Sequence, residues 1–158
     1  MPLTHQPALI EVANLSYQHS SLNSARLLHQ INFKVYPGQS LAILGASGAG
    51  KSTLLALIAG LATPTQGEVL WQGQAFSRLS ANERAKKRTN FLSYVFQSFH
   101  LLPELTAEEN LLLPLELNPK ISLAQAKQLA QEWLTKVQLP NKAKHKPHQL
   151  SGGEQQRV

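Results

Sequence analysis

Residues 45–52, Gly-Ala-Ser-Gly-Ala-Gly-Lys-Ser, constrain this chain more than any other stretch, because they match GxxxxGK[ST]. The residues before them, SLAIL at 40–44, are a continuous apolar run that predicts a strand covered on both faces of a parallel sheet. The residues after them, 51–59, read as a helix. Strand, glycine loop and helix in that order is the context in which this motif binds phosphate. The spacing predicts that Gly45, Ala46, Ser47, Gly48, Ala49 and Gly50 curl so that successive N–H groups point inward as an anion nest. The helix aims its positive dipole end at the same spot. Lys51 can reach the β- and γ-phosphates as a point charge, and the Ser52 hydroxyl is placed to ligate Mg²⁺. Thr53 offers a further hydroxyl near the α-phosphate. A match of this kind arises by chance in on the order of 1% of chains this long, so the loop implies binding of a nucleoside triphosphate. It does not choose between a transporter motor, a kinase, a GTPase and a DNA-repair ATPase.

Composition narrows the setting. The 158 residues contain no cysteine, which excludes disulfides, thiolate zinc sites, iron–sulfur clusters and a cysteine nucleophile. With 42% apolar and 15% charged residues the chain is long enough and apolar enough to bury a core. The longest apolar run, LLALIAGLA at 54–62, is far short of the roughly 18–20 residues that span a bilayer. The start, MPLTHQPALIE, has neither the basic nor the apolar region of a signal peptide, and a cytoplasmic setting is expected. A net charge of +6 suits an anionic partner without naming it.

Along the chain, residues 8–17 and 31–36 read as strands, the second stopped by Pro37-Gly38. Residues 68–72 read as a short strand, 81–88 as a basic helix, and FLSYVF at 91–96 as a second strand buried on both faces. Helices dominate after Gln97. Thr106 and Glu109 have capping-box spacing, Pro114 is expected to interrupt the helix they open, and Ser122 to cap the next. Ala126, Ala130, Trp133 and Val137 predict one apolar face of that helix, stopped by Pro140. A basic linker, 141–148, leads to a second glycine-rich site at 150–157, LSGGEQQR. The expected organisation is a phosphate-loop core with an N-terminal β element (1–96), a helical subdomain (97–149) and the start of the second motif and its helix (150–158).

Ser151, Gly152 and Gly153 ahead of a polar helical run look like another helix N-terminus suited to anions, or simply a capped helix with a glycine hinge. With the phosphate loop 100 residues upstream, the pair resembles the ATP-binding-cassette (ABC) ATPases, whose signature is LSGGQ; this chain has the variant LSGGE. The stretch 94–115, YVFQSFHLLPELTAEENLLLPL, resembles the lipoprotein-releasing, macrolide-exporter and cell-division branch of that family. The resemblance implies an α/β P-loop fold of ABC type with an antiparallel N-terminal β element and an α-helical subdomain. It implies ATP and Mg²⁺ as cofactors, with Tyr17 stacking on adenine and Gln97, the Q-loop glutamine, assisting Mg²⁺ or the attacking water. It further implies head-to-tail pairing with a second ATP-binding subunit, in which Ser151 and Gly153 cap the γ-phosphate held by the partner. The partners would be transmembrane permease subunits on the cytoplasmic face of the inner membrane, reached through the Q-loop and residues 101–117.

The chain stops at Val158 inside the signature helix, whereas the family's Mg²⁺-linked aspartate, catalytic glutamate and switch histidine follow that helix. The expectation is therefore the N-terminal part of a longer ATP hydrolase or the product of a truncated gene, which does not turn over ATP by itself. Two alternatives are a catalytically inactive nucleotide-binding fragment and a DNA-repair type ABC ATPase. The second is disfavoured because the interval between the motifs has no cysteine and no sustained heptads. The basic runs at 85–88 and 142–148 lack interleaved stacking aromatics and read as solvated surface rather than nucleic-acid contacts.

Overall fold

A computed structural model describes residues 7–18, 26–116, 118 and 120–158. They divide into two compact units, Met1–Tyr94 and Val95–Val158.

The first unit is built on a four-stranded antiparallel sheet in the order β2-β1-β3-β4. Strand β1 (Ile10–Gln18) pairs with β2 (Arg26–Val35) on one edge and β3 (Gln66–Trp71) on the other. The short β4 (Gln74–Ala75) folds back on β3 through Gln72-Gly73. The rough alternation of the sequence puts Val12 and Leu15 of β1, Leu28 of β2, and Val69 and Trp71 of β3 into one core. Helix α1 (Lys51–Ile58) adds Leu54, Leu57 and Ile58 to it. Phe76, in the turn after β4, stacks on the Trp71 ring at 3.5 Å between centroids. Trp71 also donates its indole N–H to the Ile58 carbonyl at 3.1 Å, which ties β3 to the end of α1. Helix α2 (Ala81–Phe91) starts on a complete Ser80/Glu83 capping box. Arg84 and Arg88 turn inward to carbonyls of Leu79, Ala59 and Gly60, so half of its basic run fastens the helix instead of facing water.

Two of the expected strands do not form. Neither 40–44 nor 91–96 belongs to the sheet. A run apolar on both faces becomes a central strand only between two neighbours that satisfy its backbone groups. The sheet of the described residues is antiparallel and offers 40–44 no such place, leaving Leu44 89% exposed. Phe91 is instead the last residue of α2, where its ring packs 4.6 Å from Trp71, and Val95 is 93% exposed.

The second unit is helical. Helix α3 (Ala107–Glu116) opens on Thr106, whose N–H and hydroxyl donate to Glu109 Oε2 at 2.7 and 2.8 Å. Pro114 does not interrupt it. Proline removes one internal hydrogen bond, and packing of Leu111, Leu112 and Leu115 against the next helix carries the chain past it. Helix α4 (Leu123–Lys136) is capped by Ser122 and Gln125. Its buried row is Ala126, Ala130 and Leu134, not Trp133. The two alanines let α3 approach closely; Trp133 is too bulky for that seam and lies 52% exposed, with the Lys136 ammonium 4.5 Å over its ring. The basic linker folds as two 3₁₀ turns, Pro140–Lys142 and Pro147–Gln149. Its carbonyls at Ala143 and His145 accept the first N–H groups of α3, and Lys144 pairs with the buried Glu108. Helix α5 (Gly152–Arg157) follows. No helix among the described residues is long and apolar enough to cross a membrane.

Candidate functional site

The phosphate loop lies in the first unit. Gly48 (φ 79°) and Gly50 (φ 86°) adopt the left-handed conformation that non-glycine residues avoid. Gly50 is doubly constrained, since a Cβ there would sit 2.9 Å from Leu28 Cδ2. These two residues set the curl of the loop, and an Ala49 N–H bond to the Ala46 carbonyl at 3.2 Å closes it.

Helix α1 differs from the other helices at its start. Helices α2, α3, α4 and α5 have capping side chains, whereas Gly50 supplies none and the first turn of α1 has no acidic residue. An α-helix begins with N–H groups that need acceptors from outside it. Here the sequence leaves those donors, and the positive end of the dipole, without a side chain to satisfy them. The Lys51 ammonium rests on the carbonyls of Gly45 (2.9 Å) and Ala46 (2.7 Å), arched over the same concavity. Ser52 is exposed beside it and Thr53 half-buried. Donors, cation and hydroxyl on one glycine-shaped loop suit a polyphosphate with its metal.

Tyr17 is half-buried on β1, opposite Leu28, and packs against the core of the first unit. The remaining predicted residues belong to the second unit. Gln97 is exposed in a bend. Leu117, the end of the predicted coupling segment, lies outside the described residues, as do residues 1–6.

The residues of the second glycine-rich motif, Leu150–Gly153, sit on a braced turn. Ser151 caps α5: its N–H donates to Glu154 Oε2 at 2.8 Å and its Oγ accepts the Glu154 N–H at 3.3 Å. Lys142 ion-pairs with Glu154 at 3.3 Å. Gln155 donates to the carbonyls of Pro147 (2.9 Å) and Leu150 (3.0 Å), pinning the loop from behind. Glu154, Lys142 and Gln155 were not singled out as site residues from sequence, although the S-x-x-E spacing signals the cap. Gly152 and Gly153 have nothing within 4 Å of an added Cβ, so internal packing does not require glycine there. Glycine nevertheless costs a helix up to about 1 kcal/mol per residue, and what the pair provides is clear space on the outer surface.

The Ser151 N–H, then its hydroxyl and Lys142, hold the Glu154 carboxyl below the ordinary glutamate range. Glu83 and Glu109 are lowered by their caps in the same way. A carboxyl lowered in the folded state stabilises above its unfolded pKa, and that contribution is lost as pH falls through the folded value. The caps of α2, α3 and α5 should therefore open on acidification below the ordinary glutamate range. Carboxyl NMR titration should give Glu154 a depressed midpoint that moves up in Lys142→Ala; an ordinary midpoint in the unmodified chain would contradict the cap.

Fold and loop together define a P-loop nucleotide-binding protein. The family model described as ABC transporter matches residues 28–158, and the chain belongs to that family. The lipoprotein-releasing system ATP-binding protein LolD of Francisella tularensis subsp. holarctica (strain OSU18) is 41% identical over 151 residues, covering 95% of this chain and 65% of that protein. The dimeric post-hydrolysis state of the ATP-binding cassette MJ0796 bound to ADP and Pi has a TM-score of 0.86 at 36% identity, covering 94% of this chain and 66% of that one. In cbiO1 from Clostridium perfringens, part of the ABC transporter complex cbiONQ, the TM-score is 0.74 at 24% identity, a likeness of fold. The chain thus spans slightly less than two thirds of the length of the curated relative.

Proposed function

We propose that this chain is the ATP-binding part of an ABC transporter ATP hydrolase, with residues 1–96 as nucleotide core, 97–149 as helical subdomain and 150–158 opening the signature. The single observation that carries this is the uncapped start of α1 beneath Lys51, on a loop shaped by Gly48 and Gly50. Backbone N–H groups of residues 46–51 and the Lys51 ammonium bind the phosphates, and the Ser52 hydroxyl would ligate Mg²⁺. When bound, Mg²⁺ neutralises phosphate charge and polarises the bond that hydrolysis breaks. Tyr17 stacks on the adenine ring. Ser151, Gly152 and Gly153 present a hydroxyl and unobstructed backbone to the γ-phosphate of a nucleotide held by a second ATP-binding subunit. Nucleotide binding then closes a head-to-tail pair that drives permease subunits, keeping this chain on the cytoplasmic face of the inner membrane. The 41% identity to the lipoprotein-releasing protein supports export or extraction as the direction of work.

The pairing is tested by sedimentation with and without MgATP. MgATP should shift the protein to a dimer, and Gly153→Asp, which puts a carboxylate where a γ-phosphate must approach, should abolish the shift while leaving nucleotide affinity intact. A variant that still dimerises would remove the signature from the interface.

A further inference from the structure

We propose that Lys142 is a positioning residue of the second glycine-rich motif: its ammonium cancels the Glu154 carboxylate beside Ser151, so that the γ-phosphate of a nucleotide held by a second ATP-binding subunit can approach. This rests on the pairing proposed above and adds the charge that makes the approach possible. Glu154 is bound to the very residue that would meet the phosphate. Its Oε2 accepts the Ser151 N–H at 2.8 Å, and its own N–H donates to Ser151 Oγ at 3.3 Å. A carboxylate one hydrogen bond away from an incoming phosphate repels it unless a cation stands against it. Lys142 does so, 3.3 Å from Oε1, the oxygen that the Ser151 N–H does not use.

The other helix caps set the contrast. Ser80 with Glu83, Thr106 with Glu109 and Ser122 with Gln125 close the same box. Glu83 and Glu109 have no ion pair among the described residues, and Gln125 has no charge. The box therefore needs neither a lysine nor a carboxylate, and the Lys142–Glu154 pair answers to something besides capping. Lys142 is also held for the contact. It ends the 3₁₀ turn Pro140–Lys142, where its N–H donates to the Leu139 carbonyl at 3.0 Å and its carbonyl accepts the His145 N–H at 2.9 Å. Leu139 is buried in one cluster with Leu150, the first residue of the motif, so the same core fixes both ends of the ion pair. The two side chains are 35% and 20% exposed, at the surface beside the open space over Gly152 and Gly153. A pair this exposed contributes little to stability, which separates its electrostatic role from a structural one.

The test is MgATP-dependent dimerisation followed by sedimentation, with thermal unfolding of each variant as the control for folding. Lys142→Met keeps the aliphatic stem and should weaken the dimer by about tenfold or more. A head-to-tail pair makes the contact twice, and each uncancelled carboxylate repels by a factor on the order of three. The loss should shrink as salt rises, while the unfolding midpoint hardly moves. Lys142→Arg, which keeps the charge, should pair like the unmodified chain. In Glu154→Gln, which has no carboxylate to cancel, adding Lys142→Met should change the dimer by less than about twofold. Three results would overturn the role: Lys142→Met pairing as tightly as the unmodified chain, an equal loss in Lys142→Arg, or an equal loss in the Glu154→Gln background, which would make Lys142 a brace or a direct contact. Gly153→Asp separates these from failure of the pairing itself. If it abolishes the dimer and Lys142→Met does not weaken it, the motif stays in the interface and the role of Lys142 alone falls. If Gly153→Asp still dimerises, or MgATP forms no dimer, the pairing falls and the role of Lys142 falls with it.

Discussion

Lys51→Ala should weaken MgATP binding by roughly ten- to hundredfold, read by titration calorimetry. The ammonium now sits on two neutral carbonyls, Gly45 at 2.9 Å and Ala46 at 2.7 Å. Phosphate oxygens would replace those weak partners with charge-assisted ones, each hydrogen bond of that kind contributing about 1.5–3 kcal/mol, and 1.4 kcal/mol is a factor of ten in affinity. Alanine leaves the N–H nest and the helix dipole in place, so binding is reduced and not abolished. Lys51 is outside the hydrophobic core, so folding should change little. Unchanged affinity in a folded variant would remove the phosphate loop from nucleotide binding.

Gly67→Ala should destabilise the first unit by more than about 3 kcal/mol, seen as a lower denaturant midpoint. Two independent causes add. Gly67 has φ 75°, in the region that costs a side chain about 1–2 kcal/mol. A Cβ there would also lie 2.2 Å from the Asn14 carbonyl oxygen and 2.5 Å from that of Ala13. Both obstacles are backbone, in the part of β1 where pairing with β3 shifts register, so no rotamer change can relieve them. Against a total stability of roughly 5–15 kcal/mol, the loss would be plain in any unfolding assay. A midpoint equal to that of the unmodified chain would show that β1 and β3 are not paired in this register.

The local features were legible in the sequence, and those that depend on distant partners were not. Gly48, Gly50, Lys51 and Ser52 could be read because phosphate chemistry demands those residue types in that order. The caps at Thr106, Ser122 and Ser151 could be read because a hydroxyl and a carboxyl or amide three residues apart satisfy the same donors wherever they occur. The runs at 40–44 and 91–96 were misread as sheet because an apolar run reports a wish to be buried, whereas a strand also needs neighbours on both edges. Trp133 was misread as core because a helical wheel counts angles and ignores volume; the structure chooses Leu134 beside Ala126 and Ala130. Gln155 carried no signal, since two bonds to backbone carbonyls leave no trace in a residue pattern.

The uncapped donors of residues 46–53 are proposed as the seat of a nucleotide's phosphates. That role is tested most directly by amide NMR on the labelled chain as MgATP is added. The largest shifts should cluster at Gly48, Gly50, Lys51 and Ser52, and these amides should become protected from hydrogen exchange. Shifts that saturate elsewhere while 46–53 stay unchanged would contradict it.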